Sequence, residues 1–148
     1  MGIEQWATSF IASAGFGILF NAPRNSLIQC GLTGMIGWLI FSACTMAGLH
    51  SVISNLAAAF AVAAISHILA KFYKTPVIVF NACGIIPLVP GGLAYDAMRS
   101  IMENRYDAAI RFGAEAFMIS GAIAMGLVFS EVVNQAVRGT KASIKFKR

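Results

Sequence analysis

Apolar residues in this chain come in long runs, and the few charged residues gather between the runs. No Asp, Glu, Lys or Arg occurs from Trp6 to Phe20, from Leu27 to Leu49 or from Ser51 to Ala70. A helix rises about 1.5 Å per residue and the hydrocarbon core is about 30 Å thick, so about 20 apolar residues make a span. The second and third runs have that length and the first is shorter. Two further stretches are apolar: Pro76 to Pro90, interrupted by prolines, and Phe112 to Val133, with Glu115 and Glu131 near its ends. The pattern predicts an all-α integral membrane protein of about five transmembrane helices, the fourth broken at Pro87 and Pro90. Gly91 to Arg111 then alternates acid and base through Asp96, Arg99, Glu103, Arg105, Asp107 and Arg111, which predicts a short amphipathic surface helix. No shift in composition marks a soluble domain, so residues 1–148 read as a single transmembrane domain.

Composition agrees. Of the 148 residues 58% are hydrophobic and 11% charged, against about 25% charged in a soluble domain. A soluble fold of this size would leave large apolar patches in water. The N-terminal stretch carries Glu4 and lacks the basic residues of a signal peptide, so the first run is expected to be retained.

Charge sets the orientation. With five spans, Arg24, Lys71, Lys74 and the tail residues Arg138, Lys141, Lys145, Lys147 and Arg148 fall on one side, which the retention of Lys and Arg in cytoplasmic loops makes the cytoplasm. The N-terminus is then outside, and residues 138–148 form a basic cytoplasmic tail. The net charge of +5 sits mostly in that tail without aromatic platforms, which argues for a membrane surface and against nucleic acid.

The stretch from Asn81 to Asp96, NACGIIPLVPGGLAYD, holds the most chemistry. Pro87 and Pro90 lack N–H groups and disfavour helical geometry at Ile86 and Val89. The carbonyls of Cys83 and Ile86 therefore lose their intrahelical partners, and in a bilayer such groups face protein, water or a ligand. A helix restarting after Gly91 and Gly92 offers free N–H groups and a positive dipole end suited to a carboxylate. Tyr95 follows, and Arg99 stands one turn further on as a carboxylate clamp or as part of a surface network with Asp96 and Glu103. The plainer alternative is a Pro-Gly-Gly turn at the membrane surface.

Glu115 and Glu131 bracket 15 residues without an ionisable group, about 22 Å of helix. Intramembrane carboxylates are candidates for proton coupling, and both are carried as such, with Glu131, Asn134, Gln135 and Arg138 on one helical face. His67 reads as interfacial, and neither it nor His50 has companions at metal-ligand spacing. Cys30, Cys44 and Cys83 sit in apolar runs and read as small buried hydrophobes. Gly31, Gly34 and Gly37, Ser13 with Gly17, and Ala122 with Gly126 permit close helix approach, which predicts a partner subunit or a homo-oligomer. HExxH, GxSxG and paired aspartates are all missing, so the expected function is not enzymatic and needs no cofactor or metal.

The segments Gly15 to Arg24 (GFGILFNAPR) and Ile85 to Tyr95 (IIPLVPGGLAY) resemble the two signatures of the threonine/serine exporter family, specifically its smaller C-terminal half. The resemblance runs from the first span to the last. It implies export of small carboxylates across the bacterial cytoplasmic membrane: threonine and serine in fused members, small dicarboxylates such as succinate in split ones. It also implies the proton motive force as driver and a larger hydrophobic subunit as partner. The combined reading is an exporter subunit whose substrate path is lined by Asn81, Cys83, Ile86, Pro87, Pro90, Gly91, Gly92, Tyr95 and Arg99. The alternative is a non-transporting membrane scaffold or assembly subunit, in which the small-residue faces serve only packing.

Overall fold

The structure is a computed structural model that describes the backbone over residues 3–146 and the side chains over residues 4–137. Among the described residues all regular structure is helical. The elements are α1 (Ile3–Leu19), α2 (Leu27–Met46), α3 (Ser51–Tyr73), α4 (Val77–Ile85), α5 (Gly91–Met102) and α6 (Tyr106–Phe146), with 3-10 turns at Arg24–Ser26 and Ile86–Leu88. The stretches Arg24–Met46, Ser51–Tyr73 and Tyr106–Val137 are long and apolar enough to cross a membrane. Val77–Leu88 and Gly91–Met102 qualify together, as a pair bent by 53°. The chain is thus an all-helical membrane protein with three such elements, or four if the bent pair is one span. The 17 residues of α1 reach about 26 Å, short of the hydrocarbon thickness. The side chains of the basic tail at 138–148 lie outside the described residues.

Local chemistry ends the helices. After α1, α2 and α5 the chain places Asn21 (φ 53°), Gly48 (φ 84°) and Asn104 (φ 58°) in the left-handed region, where glycine and asparagine are tolerated. Each stop carries the same paired bonds: Asn21 N–H to Ile18 and Ala22 N–H to Gly17, Gly48 N–H to Thr45 and Leu49 N–H to Cys44, Asn104 N–H to Ile101 and Arg105 N–H to Ser100. These reversals satisfy carbonyls that would otherwise be left open at the helix ends. Lys74 (φ 52°) closes α3 just before Pro76. The stop at Asn104 divides the acid–base segment, so that α6 begins at Tyr106, ahead of the Phe112 at which the last apolar run starts.

Lipid tails are as apolar as leucine, so helices in a bilayer associate through close packing at small residues. A Cβ on Gly34 would fall 1.8 Å from Ser13 Oγ, and one on Gly31 2.6 Å from the Phe10 ring, which fixes α1 against α2. Gly126 of α6 admits the backbone of α3 at Leu56 and Phe60. Most of the small-residue positions that predict association are thereby used inside the chain, whereas Gly15, Gly113 and Gly121 have nothing within 4 Å. Helix α3 lies at the centre, against α2, α4 and α6. Its buried face of Asn55, Ala58, Ala59, Val62, Ala63 and Ser66 meets Leu88, Ile119 and Ile123 in one core, and Cys30, Ala70, Phe80 and Cys83 form a second.

At the turn before α6, Glu103 accepts from Arg99 at 2.8 Å and also from Arg105. The Arg99 bond, then the Arg105 bond, holds the Glu103 carboxyl below the ordinary carboxylate range. A depressed carboxyl contributes above its ordinary value and loses that contribution as pH falls through the lowered one. All three side chains are exposed, and exposed pairs contribute little. Glu103→Gln is accordingly expected to leave the neutral-pH melting temperature within experimental error, with any difference from wild type vanishing under acid.

Candidate functional site

The first feature is the interruption between α4 and α5. Helix α4 stops at Ile85, Ile86–Leu88 forms a 3-10 turn, and Val89 is extended (ψ 128°). The missing N–H of Pro87 removes the helical partner of the Cys83 carbonyl. The Ile86 carbonyl fares differently, because Val89 N–H donates to it at 3.4 Å. Gly91 N–H bonds the Val89 carbonyl at 2.8 Å and Ala94 N–H the Pro90 carbonyl at 3.1 Å, which leaves the Gly92 and Leu93 N–H groups at the open first turn of α5.

The position of this interruption follows from the glycines around it. A Cβ on Gly84 would lie 2.6 Å from Val62 and 2.8 Å from Thr33. One on Gly37 would lie 2.6 Å from Val62, 3.5 Å from the Gly84 carbonyl oxygen and 3.8 Å from Leu88. Gly37 and Val62 are near the middles of α2 and α3, so the chain breaks level with the centres of two long apolar helices. Buried polar atoms without hydrogen-bond partners occur among the described residues: Ser13 Oγ of α1, Gln29 Oε1 and Trp38 Nε1 of α2, and Asn81 Oδ1 of α4. Ser13 lies beside Gly34, whose Cβ would be 3.4 Å from the Pro87 ring. Such atoms call for an explanation, because burial without a partner costs about 1–3 kcal/mol each.

The second feature joins α3 to α6. Gly126 lies against Leu56 and Phe60, and further along both helices His67 meets Glu131 and Asn134, so the two run parallel. His67 Nε2 is 3.0 Å from Glu131 Oε2. His67 Nδ1 is 3.1 Å from Asn134 Nδ2, and Gln135 Nε2 donates to Glu131 Oε1 at 2.9 Å. The histidine side chain is 9% exposed and the glutamate 48%. Beside them lies a half-open, mostly apolar cavity of about 630 Å³ whose lining includes Ile68, Phe72 and Val133 as well as His67, Lys71 and Asn134.

A sequence profile of the threonine/serine exporter family, ThrE, matches residues 5–133. The chain belongs to the threonine/serine exporter family. No solved structure matches it. The match takes in both features, the interruption and the α3–α6 contact at His67 and Glu131, although Asn134 and Gln135 fall just past its end. Family membership makes this chain a membrane-embedded, exporter-type transporter protein.

Against that background the sequence-predicted residues separate into groups. Cys83 is fully buried beside Cys30 and Gly17, Asn81 is half-buried, and Pro87 packs between α1 and α2. Gly91, Gly92, Tyr95 and Arg99 lie on the exposed side of α5, with Arg99 bound to Glu103. Glu131 is drawn into the α3–α6 contact, whereas Glu115 is half-buried higher on α6 and makes no ion pair among the described residues. Residues that the sequence did not single out for the site are Ser13, Gln29 and Lys71. His67 appears interfacial in sequence because its partners are 64 and 67 positions away. A histidine within an otherwise uncharged span was the available signal.

Proposed function

We propose that this chain is one subunit of a secondary exporter in the bacterial cytoplasmic membrane. It works with a larger hydrophobic subunit of the same family and moves small carboxylates, threonine and serine or dicarboxylates such as succinate, on the proton motive force. The observation that carries this reading is the helix interruption level with the centres of α2 and α3, in a member of an exporter family. Transporters bind substrate at such discontinuities near the bilayer midplane, with half-helix N-termini facing anionic groups. Asn81, the Cys83 carbonyl and the first turn of α5 line the path, Tyr95 and Arg99 stand at its outer end, and Glu131, with Glu115 second, is the coupling carboxylate.

Five crossings fit the same picture. If parallel α3 and α6 each cross once, the chain between them must return to the starting face. That return supports α4 and α5 as a single crossing broken at Pro87 and Pro90. Arg24, Lys71 and Lys74 then share the cytoplasmic face with the C-terminus.

The test is efflux of labelled threonine, serine and succinate from cells expressing this chain with and without the larger subunit. Efflux only with both chains is the expected result. Changes at Asn81 and Tyr95 should then lower flux at unchanged abundance. A normally assembled complex that moves none of the three, or variants that alter only complex stability, would favour the scaffold and overturn the exporter reading.

A further inference from the structure

The proton-driven reading leaves open which group carries the proton, and the α3–α6 contact bears on it. Helices α2 and α4, which also pack on α3, contain no Asp, Glu, Lys, Arg or His. Their cysteines Cys30 and Cys83 belong to a core with Ala70 and Phe80. Among the described residues the charged and titratable groups near the His67 ring are therefore Glu131 of α6 and, one turn along its own helix, Lys71. Asn134 completes the shell and Gln135 holds the far oxygen of Glu131.

Both ring nitrogens are engaged, and on opposite sides of the function. With Asn134 donating from Nδ2, Nδ1 holds a lone pair, so the ring proton is on Nε2 and points at the Glu131 carboxylate. Asn134 and His67 line the 630 Å³ cavity, and Glu131 is the more exposed group outside it. One ring nitrogen thus meets a cavity-lining amide and the other meets the exposed carboxylate.

We propose that His67 is the proton carrier of this protein, relaying protons between the α3–α6 cavity and Glu131, with Asn134 following the protonation state of the ring. A proton arriving from the cavity binds Nδ1. The Asn134 amide, which then faces an N–H, turns to present Oδ1. The Nε2 proton passes to Glu131 Oε2, and the neutral carboxyl releases it at the exposed end of the seam. A turn of the ring about its Cβ–Cγ bond brings the remaining N–H back to Glu131. One proton enters, one leaves, and only N–H and O–H bonds are made or broken. Two properties suit His67 to this role: two distinct nitrogens, and a place inside a helix seam. Among the described residues Glu131, half exposed, reaches α3 through that ring.

The proposal rests on the exporter reading for its purpose but is tested apart from it. The protein, together with its larger subunit where that is needed for assembly, is placed in lipid nanodiscs with ¹⁵N-labelled histidine. With the label confined to this chain only His50 and His67 give signals, and His50→Gln assigns them. In a scan from about pH 8 to 5 the His67 ring is expected to pass from the Nε2–H tautomer to the doubly protonated form. Asn134→Ala should change the tautomer ratio. Glu131→Gln should change the pH response of the ring, because the imidazolium loses its carboxylate. A ring that stays neutral in one tautomer across that range, or a midpoint indifferent to Glu131→Gln, overturns the relay.

In proteoliposomes, His67→Gln preserves hydrogen bonding without titration and should cut pH-gradient-driven efflux by at least about tenfold, while substrate exchange without a gradient persists. Full gradient-driven efflux in His67→Gln also overturns the proposal. A titrating, Glu131-linked ring in a complex that exports nothing would sink the exporter reading and keep the relay. An inert ring in a working exporter would do the reverse.

Discussion

Cells carrying Pro87→Ala together with Pro90→Ala are expected to insert this chain and assemble its complex at wild-type levels, yet lose at least about nine-tenths of efflux. Alanine restores the N–H groups at both positions and the helical preference of Ile86 and Val89. The carbonyls of Cys83 and Ile86 regain intrahelical donors, and the extended residue at Val89 is no longer enforced. The bent pair from Val77 to Met102 can then run on as one helix, and the 53° bend with its open first turn at Gly92 and Leu93 disappears. Nothing in this change adds charge or removes apolar surface, so insertion should be untouched. The measurement is initial efflux rate normalised to complex recovered by affinity purification. Undiminished efflux would show that the interruption is not the substrate path.

Gly126→Ala is expected to be the most damaging single methyl group in the last helix, and Gly121→Ala five positions earlier the most innocuous. A Cβ on Gly126 would stand 2.7 Å from the Leu56 carbonyl oxygen and 3.0 Å from Phe60 N, both backbone atoms, with the Ala59 methyl also at 3.0 Å. Backbone inside a helix has no rotamer with which to yield, so α3 and α6 must separate. Overpacking of this kind costs roughly 1–3 kcal/mol. Separation would also lengthen the His67–Glu131 contact further along the same seam. Gly121 meets nothing within 4 Å, and alanine there gains helix propensity of up to about 1 kcal/mol. Thermal unfolding in detergent, followed by size-exclusion recovery after heating, separates the two. Equal melting temperatures would mean that the seam is looser than its distances indicate.

The helices were legible because a bilayer tolerates so few patterns. Runs without Asp, Glu, Lys or Arg placed α2 and α3. Partnerships across the bundle were not legible. Helical periodicity groups Glu131 with Asn134 and Gln135 on one face, but it carries nothing about His67 on another helix. The same holds for small residues. Gly31, Gly34, Gly37 and Gly126 announce close approach without naming the neighbour, and their neighbours turn out to be α1, α3 and α4 of the same chain. Gly113 and Gly121 of α6, by contrast, meet nothing within 4 Å. The division of the acid–base segment was hidden too, since Asn104 reverses the chain through a left-handed conformation that its neighbours in sequence do not advertise.

The last helix has a mechanical consequence. At 41 residues without a break, α6 is about 61 Å long, roughly twice the hydrocarbon thickness, and it is joined at one end to α5 and along its middle to α3. A rod of that length conveys axial displacement with little loss. A movement of α5 about the bend at Pro90 would reach the Tyr106 end of α6 through a turn of only three residues, Glu103, Asn104 and Arg105, and a rigid α6 would convey it as a shift of Glu131 past His67. An axial displacement of about 3 Å, two residues of rise, would carry the 3.0 Å contact beyond ion-pair reach, so a slide of that size would link the two ends of α6 through a single piece of secondary structure.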